Sequence, residues 1–372
     1  MKKLISALLI LALGFALISC TSAKDSQTAA PEAENTALEI AESYKGLLQQ
    51  GADMGAVLAA LGEQGYPTVD ETAALPFVNA DKLRIFAREY EEGIISGAEL
   101  VRVCVDGGLI YTRFYYADTW HCKNVRVGWR EGKGEVSFAS DYVLSSLTVT
   151  DKDYLIYTCE IPDNTAASKH DGYIVPTTML RLTPRSEEVS RFDKYLVPIG
   201  YNANELFTRS WTASDLSGVC LNDVYLSLWR AKHGAYLYYF DDPYENLEGT
   251  ALSLVPKDEY EALMQKYLAL SKREIASASL YNEAHAAYPI DITAAHRSDS
   301  VPVPEVTAVQ ENPDGTYTLT VEALYVERAT DCAFTHYVAL APNGAGELII
   351  AGNERVYSDS DIVPEYISSF EH

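Results

Sequence analysis

The chain lacks the short motifs of the common catalytic classes. It has no Gly-x-Ser-x-Gly elbow, no Ser-x-x-Lys, no His-Glu-x-x-His, no Gly-x-x-x-x-Gly-Lys loop and no Gly-x-Gly-x-x-Gly. The sequence therefore has none of the usual signatures of serine-nucleophile, zinc-protease, P-loop or dinucleotide-binding enzymes. Cysteine is also scarce, with six residues and no Cys-x-x-Cys pair. That absence argues against thioredoxin-like redox chemistry and most structural zinc sites, so we expect neither a cofactor nor a metal.

Metal-ligand spacing is missing elsewhere too. Cys332 and His336 lie four residues apart on a predicted strand, about 13 Å along it, which is too far to share a metal. We interpret both as packing residues. The acidic segment Asp241-Asp242-Pro243-Tyr244-Glu245-Asn246 offers oxygen ligands but not the alternating order of a known calcium loop, and we interpret it as a solvated turn.

Positive charge is in short supply. Against 53 Asp and Glu the chain has only 29 Lys and Arg, a formal charge of −24. Nucleic acids and anionic lipid surfaces are negatively charged and would be repelled, so we expect no nucleic-acid partner. A neutral or basic partner fits this charge, and so does a simple requirement for solubility.

Long apolar runs are rare, and the clearest one is at the N-terminus. Lys2 and Lys3 precede Leu4 to Ile18, a run of about 15 apolar residues that is too short for a spanning helix of about 20. The tetrad Leu17-Ile18-Ser19-Cys20 resembles a lipobox, in which the cysteine is acylated and the chain is cut before it. An ordinary secretory signal is the alternative. We predict a lipoprotein anchored through Cys20 to the outer face of the cell membrane, because acyl chains there give stable attachment.

The pattern after the signal predicts an α+β protein. We expect N-terminal helices, an antiparallel β-meander from Leu100 to Glu160, central and C-terminal helices, and a terminal antiparallel β unit. Local signals predict a turn at Asn312-Pro313-Asp314-Gly315 and helix starts at Asn79, at Thr183-Pro184, at Asn222 and at Ser271, where Glu274 completes a capping box. The predicted organisation is a signal peptide at 1–19, a flexible tether at 20–36, an α+β body at 37–299 and a C-terminal β unit at 300–372. That last unit is either a separate domain or packed on the same core.

The densest group of chemically reactive side chains is Asp118, His121 and Cys122, in a predicted turn between two strands. A thiol beside an imidazole and a carboxylate is a candidate nucleophile. Adjacent strand residues point to opposite faces, however, so His121 and Cys122 should diverge, and an ordinary hairpin turn is the alternative. The same meander separates Cys104, Cys122 and Cys159 by distances of about 10 to 20 Å, so we predict three free thiols.

Several stretches of the mature chain resemble a known protein family. They include Tyr195-Leu196-Val197-Pro198-Ile199-Gly200-Tyr201, Val303-Pro304-Glu305-Val306 and Asp314-Gly315-Thr316. These stretches look like a family of uncharacterised lipoproteins from Gram-positive anaerobic bacteria, defined only as a domain of unknown function. The resemblance implies a surface location and brings no catalytic or binding residues.

Tyrosine is in excess, with 26 residues against 10 phenylalanines. Exposed tyrosines form contact surfaces for sugars or proteins, whereas half-buried sheet tyrosines are the structural alternative. Two hypotheses follow. The first is a noncatalytic module that binds a peptide, a glycan or an envelope protein, and a contiguous exposed aromatic patch would support it. The second is a hydrolase of unfamiliar type that acts on envelope peptide or glycan, and it requires a cleft with convergent acid–base groups.

Overall fold

The computed structural model describes residues 29–71, 75–161, 176–235, 237, 242–293, 301–366 and 368–370. Cys20 and the predicted signal peptide lie outside the described residues. None of the helices within these ranges is long and apolar enough to cross a membrane. The chain forms two compact units. The N-terminal unit draws its described residues from 1–149, 157–174 and 180–183, and the C-terminal unit takes the rest.

Two helices open the N-terminal unit. Helix α1 (Ala29–Gln49) begins within the stretch predicted as a tether, and it buries Ala33 completely. Helix α2 (Met54–Glu63) begins at the N-cap Asp53, whose carboxylate accepts a hydrogen bond from the Ala56 N–H at 2.8 Å. Such a cap satisfies one of the free N–H groups of the first turn. Both helices pack their apolar residues on one face of a sheet.

The sheet has seven strands in sequence order, and the predicted antiparallel meander is confirmed. Helix α3 (Ala80–Glu91) lies on the face that carries Phe114, whose ring stacks on Phe86 at 5.3 Å. Asn79 is the N-cap residue, as predicted, but it adopts a left-handed conformation and bonds Gly62 and Tyr66 instead of the helix. The strands are β1 (Thr68–Asp70), β2 (Ala98–Val103), β3 (Leu109–Tyr116), β4 (Trp120–Arg130), β5 (Lys133–Val149), β6 (Tyr154–Glu160) and β7 (Thr177–Arg181).

The C-terminal unit combines four helices with two sheets. One sheet has the order β11-β10-β9 and the other the order β12-β13-β14-β15-β8. The strands after residue 300 share one core with residues 184–293. The elements are α4 (Glu187–Ser190), β8 (Trp211–Thr212), α5 (Leu221–His233), β9 (Glu245–Asn246), β10 (Ser253–Pro256), α6 (Lys257–Tyr267), α7 (Lys272–Ser277), β11 (Ala287–Ile290), β12 (Val303–Glu311), β13 (Tyr317–Leu324), β14 (Thr335–Pro342) and β15 (Leu348–Val356).

The predicted helix starts of this unit have mixed outcomes. The capping box of α7 is confirmed, with reciprocal bonds between Ser271 and Glu274. The start predicted at Thr183-Pro184 is wrong, because α4 begins at Glu187 after Ser186. Asn222 is not a cap either. It lies inside α5, and its amide bonds the main chain at Leu280 and Pro289 instead.

A neutral histidine joins three segments of the C-terminal unit. His336 on β14 is fully buried. Its Nε2 lies 2.8 Å from the Tyr201 hydroxyl, and its Nδ1 lies 2.6 Å from the side-chain oxygen of Asn353. The Asn353 amide nitrogen donates to two main-chain carbonyls, so its oxygen must accept the proton on His336 Nδ1. Nε2 therefore accepts from the Tyr201 hydroxyl. His336 is a packing residue, as the sequence predicts.

We predict that this histidine makes the protein acid-sensitive. Burial, with a smaller effect of Arg355, lowers the pKa of His336 to about 3, against an ordinary value of 6.5. Its stabilising contribution is therefore complete above pH 6.5 and is lost as the pH falls toward 3. Between pH 7.5 and pH 5 we expect the free energy of unfolding to fall by about 2 kcal/mol through this residue.

Urea unfolding at the two pH values measures this effect. His336→Gln should lose that part of the pH dependence, while His285→Gln, at an exposed position, should keep it. Equal pH dependence in wild type and His336→Gln would contradict the assignment.

Candidate functional site

The structure separates the candidate residues Asp118, His121 and Cys122. Strand β4 begins at Trp120, so His121 and Cys122 lie within a strand and point to opposite faces, as the alternation predicts. On one face, the His121 ring lies between two carboxylates. Its Nδ1 is 3.2 Å from Asp141 Oδ1, and its Nε2 is 3.8 Å from Oδ1 of the exposed Asp118. Cys122 is fully buried on the other face. No thiol–imidazole pair is formed here.

The Cys122 thiol instead lies beside the thiol of Cys159 and interacts with it. The separation of 10 to 12 Å expected for this pair is therefore wrong. The long strand β5 pairs with β4 only as far as Val143, and its later part runs beside β6, with Ser145 bonded to Thr158. All five described cysteines are free thiols, Cys104 among them. The interaction with Cys159, followed by burial, raises the pKa of Cys122 well above its usual value.

The acidic segment at 241–246 is built from local bonds. Asp242 accepts hydrogen bonds from the Tyr244 N–H at 3.0 Å and from the Ser253 hydroxyl at 2.6 Å. Asp241 lies outside the described residues. Across the described ranges, no group of three or more His, Cys, Asp or Glu side chains has the arrangement of a metal site.

A cleft in the C-terminal unit is lined by three tyrosines. Tyr195, Tyr267 and Tyr317 line a volume of about 860 Å³, together with Lys194 and Lys266. A recess of about 180 Å³ continues from it. We call this region the tyrosine cleft. Its size lies within the ~300–1,000 Å³ of typical ligand sites.

Local structure fixes each tyrosine of the cleft. Tyr195 ends a 3₁₀ turn in which Asp193 pairs with Arg185 and accepts from the Val306 N–H of β12 at 3.1 Å. Tyr317 opens β13 directly after the turn predicted at Asn312-Pro313-Asp314-Gly315, where Gly315 has the positive φ that glycine favours.

Tyr267 ends α6, and the chain then bonds to β15 through the Ala269 N–H and the Ile350 carbonyl at 2.7 Å. Each ring is thus held by backbone contacts rather than by a flexible loop. Burial raises the pKa of the Tyr267 hydroxyl, which therefore stays protonated at neutral pH.

The tyrosines of the cleft differ from many buried tyrosines in the hydrogen bonds that their hydroxyls make. Several core hydroxyls of the C-terminal unit have protein partners, for example Tyr201 with His336 and Tyr288 with Glu261. Within the part of the chain that the structure describes, the hydroxyls of Tyr195, Tyr267 and Tyr317 make no hydrogen bond. The cleft therefore presents three half-buried rings with unused donors and acceptors.

The cleft also concentrates positive charge in an acidic protein. Arg191, Lys194 and Lys266 each lie over the ring next to them in sequence, 4.9 to 5.3 Å from its centroid. None of the three forms a salt bridge within the described residues. Glu311 and Glu347 lie on the same lining. The cleft is suited to a polar, ring-shaped ligand that carries negative charge.

Sequence reasoning missed this site because its tyrosines are widely separated in the chain. In the sequence, tyrosine is instead clustered at 236–239, where Tyr236, Tyr238 and Tyr239 lie outside the described residues. One feature of the sequence does point to the cleft. Two of the stretches that carry the family resemblance adjoin the cleft, one beginning at Tyr195 and the other ending at Thr316.

We predict that Cys122 does not react in the folded protein, because its thiol is buried and its pKa is raised. Alkylation by iodoacetamide at pH 8, followed by mass spectrometry, should label Cys332 long before Cys122, since Cys332 is partly exposed. Cys122 should be labelled only at the rate of unfolding. Rapid labelling of Cys122 under native conditions would contradict this prediction and make Cys122 a candidate nucleophile again.

Comparisons with known proteins give the family but no activity. No curated protein and no solved structure matches the chain. A family model does match, over residues 24–369. The chain therefore belongs to DUF6070, a family of unknown function.

Proposed function

We propose that the protein is a lipid-anchored, extracytoplasmic binding module whose tyrosine cleft holds an acidic saccharide of the cell envelope. The observation that carries the proposal is the set of three half-buried tyrosines with unused hydroxyls in one cleft. Tyrosine rings pack on the apolar faces of sugar rings, while their hydroxyls bond the sugar hydroxyls. The binding hypothesis asked for a contiguous exposed aromatic patch, and these half-buried rings in one cleft support it in part.

The charge of the ligand follows from Arg191, Lys194 and Lys266. Cations without a carboxylate partner favour a ligand with carboxylate or phosphate groups, since charge-assisted hydrogen bonds are stronger than neutral ones. The acidic remainder of the protein opposes an extended polyanion. A short acidic saccharide therefore fits better than a long charged polymer.

We expect removal of a single hydroxyl to weaken binding without affecting stability. Tyr267→Phe should reduce affinity about fivefold, the value of one hydrogen bond, and leave the melting temperature unchanged. Tyr337→Phe is the matched control, because Tyr337 is exposed on the opposite face of β14 from His336. The measurement is titration calorimetry with acidic saccharides selected from a glycan array, with their neutral counterparts as ligand controls.

Two results would contradict this proposal. One is that no saccharide on the array binds more weakly to Tyr267→Phe than to the wild-type protein. The other is equal affinity for an acidic saccharide and its neutral counterpart.

The cleft also supports the second hypothesis, a glycan hydrolase, through one observation. Glu311 and Glu347 both line it, and most glycosidases use a pair of carboxylates. Release of reducing sugar that is lost in Glu311→Gln or Glu347→Gln, with binding retained, would establish catalysis.

A separate prediction concerns the lipid anchor. Cys20→Ser should prevent lipid attachment and leave the protein uncut or released from the membrane, because the cysteine thiol is the group to which diacylglycerol is attached in a lipobox. Cell fractionation and intact-mass measurement check this, with Cys332→Ser as the control that keeps the anchor. A Cys20→Ser protein that is cleaved and membrane-bound like wild type would rule out lipidation at this residue.

A further inference from the structure

Strand β2 has an open edge in the N-terminal unit. On one side it pairs with β3 along its whole length, from Ala98 to Val103. On the other side β1 pairs only with Val101–Val103. The chain before β1 turns back into α2, so the first half of β2 has no strand neighbour on this side among the described residues.

The direction of the free backbone groups follows from the hydrogen bonds of Val101. Its N–H donates to the Pro67 carbonyl on the β1 side at 2.9 Å. Backbone groups alternate along a strand, so the N–H and C=O of Gly97 and Glu99 point to that same side. Within the described residues, no backbone group pairs with them there.

These groups face a groove of about 580 Å³, which we call the β2-edge groove. Its lining includes Gly97 just before the strand, Glu99 on the strand, and Ile85 and Glu89 on α3. The Ser96 hydroxyl, also on the lining, is buried and has no partner within the described residues. The groove is therefore walled by a helix and has unused hydrogen-bonding groups along its floor.

The edge lacks the features that usually prevent strands from pairing with other chains. Natural edges carry lysine, proline or a bulge, or are covered. Residues 94–100 contain neither lysine nor proline. Ile94 and Ile95, just before the edge, are 48% and 68% exposed. Such an edge is suited to accept a strand.

The charges of the groove favour a basic partner. Of its two cations, Arg113 is neutralised by Glu32 at 3.2 Å, while Lys82 keeps its charge and is held at the Gly65 carbonyl. The half-buried Glu89 carboxylate has no partner within the described residues. The formal charge of −24 adds attraction at longer range.

We propose that the β2-edge groove binds an extended basic segment of another polypeptide, which adds a strand beside Gly97–Glu99. Main-chain hydrogen bonds supply the binding, and the side chains that face α3 supply the selectivity. Ile85 and Glu89 are one helical turn apart, about 6 Å, which matches the spacing of alternate strand residues. The segment therefore presents an apolar and a basic residue at positions i and i+2.

The first test uses a fluorescent heptapeptide, Thr-Val-Thr-Lys-Thr-Val-Thr, and fluorescence anisotropy with the wild-type protein. N-methylation of one alternate set of residues should weaken binding at least about tenfold, whereas methylation of the other set should not, because only one set faces the strand. Replacing the lysine by glutamate should also weaken binding. Equal binding of the two methylated peptides, or no binding of the parent peptide, would overturn the proposal.

The second test changes the strand. Glu99→Pro removes the outward N–H at an edge position where proline is tolerated, and it should weaken binding at least about tenfold. Glu99→Ala keeps the N–H and removes only the carboxylate, which accepts a hydrogen bond from Tyr111, so its loss of affinity should be at least about threefold smaller than that of Glu99→Pro. Circular dichroism and melting temperature confirm that both variants are folded.

Analytical ultracentrifugation completes the test. A dimer of the wild-type protein that is lost in Glu99→Pro would show that the edge pairs with a second copy of this chain, which would overturn the peptide assignment. Because the tyrosine cleft belongs to the other unit, its saccharide binding should be unchanged in Glu99→Pro, so either proposal can fail alone.

Discussion

A buried tyrosine hydroxyl needs a hydrogen-bond partner, and this constraint organises the C-terminal unit. Tyr201 meets it through His336, which in turn is held by Asn353 and must stay neutral to accept the bond. Tyr288 meets it through the buried carboxylate of Glu261. Because an unpartnered buried hydroxyl costs about 1 to 3 kcal/mol, tyrosines with unused hydroxyls are expected only where water or a ligand reaches them. Tyr267 and its two neighbours in the tyrosine cleft are in that position.

The two units carry two different kinds of recognition surface. The tyrosine cleft offers rings, hydroxyls and cations, which suits a polar ligand with ring faces and negative charge. The β2-edge groove offers backbone groups beside a helix whose Glu89 carboxylate has no partner in the part of the chain that the structure describes, which suits an extended basic chain. Local charge decides each preference, since both surfaces belong to a protein whose formal charge is −24.

The sequence predicted much of the fold but little of the site. The meander and the capping box at Ser271 were predictable because strand alternation and helix capping depend on neighbouring residues. The contact between Cys122 and Cys159 was not, because it requires β5 to leave β4 and continue beside β6. The short strand β1 was missed as well. Its three residues lack a period, and its parallel partner lies more than 30 residues away.

By itself the sequence determined the α+β class, the antiparallel meander and the divergence of His121 from Cys122, because these follow from short-range periodicity and alternating side-chain directions. Only the tertiary structure decided which tyrosine hydroxyls are used in the core and which are open to a ligand. Hydrogen-bond partners such as Tyr201 and His336 are 135 residues apart in the chain. Whether a polar group is satisfied depends on contacts at that distance, which no local pattern of residues specifies.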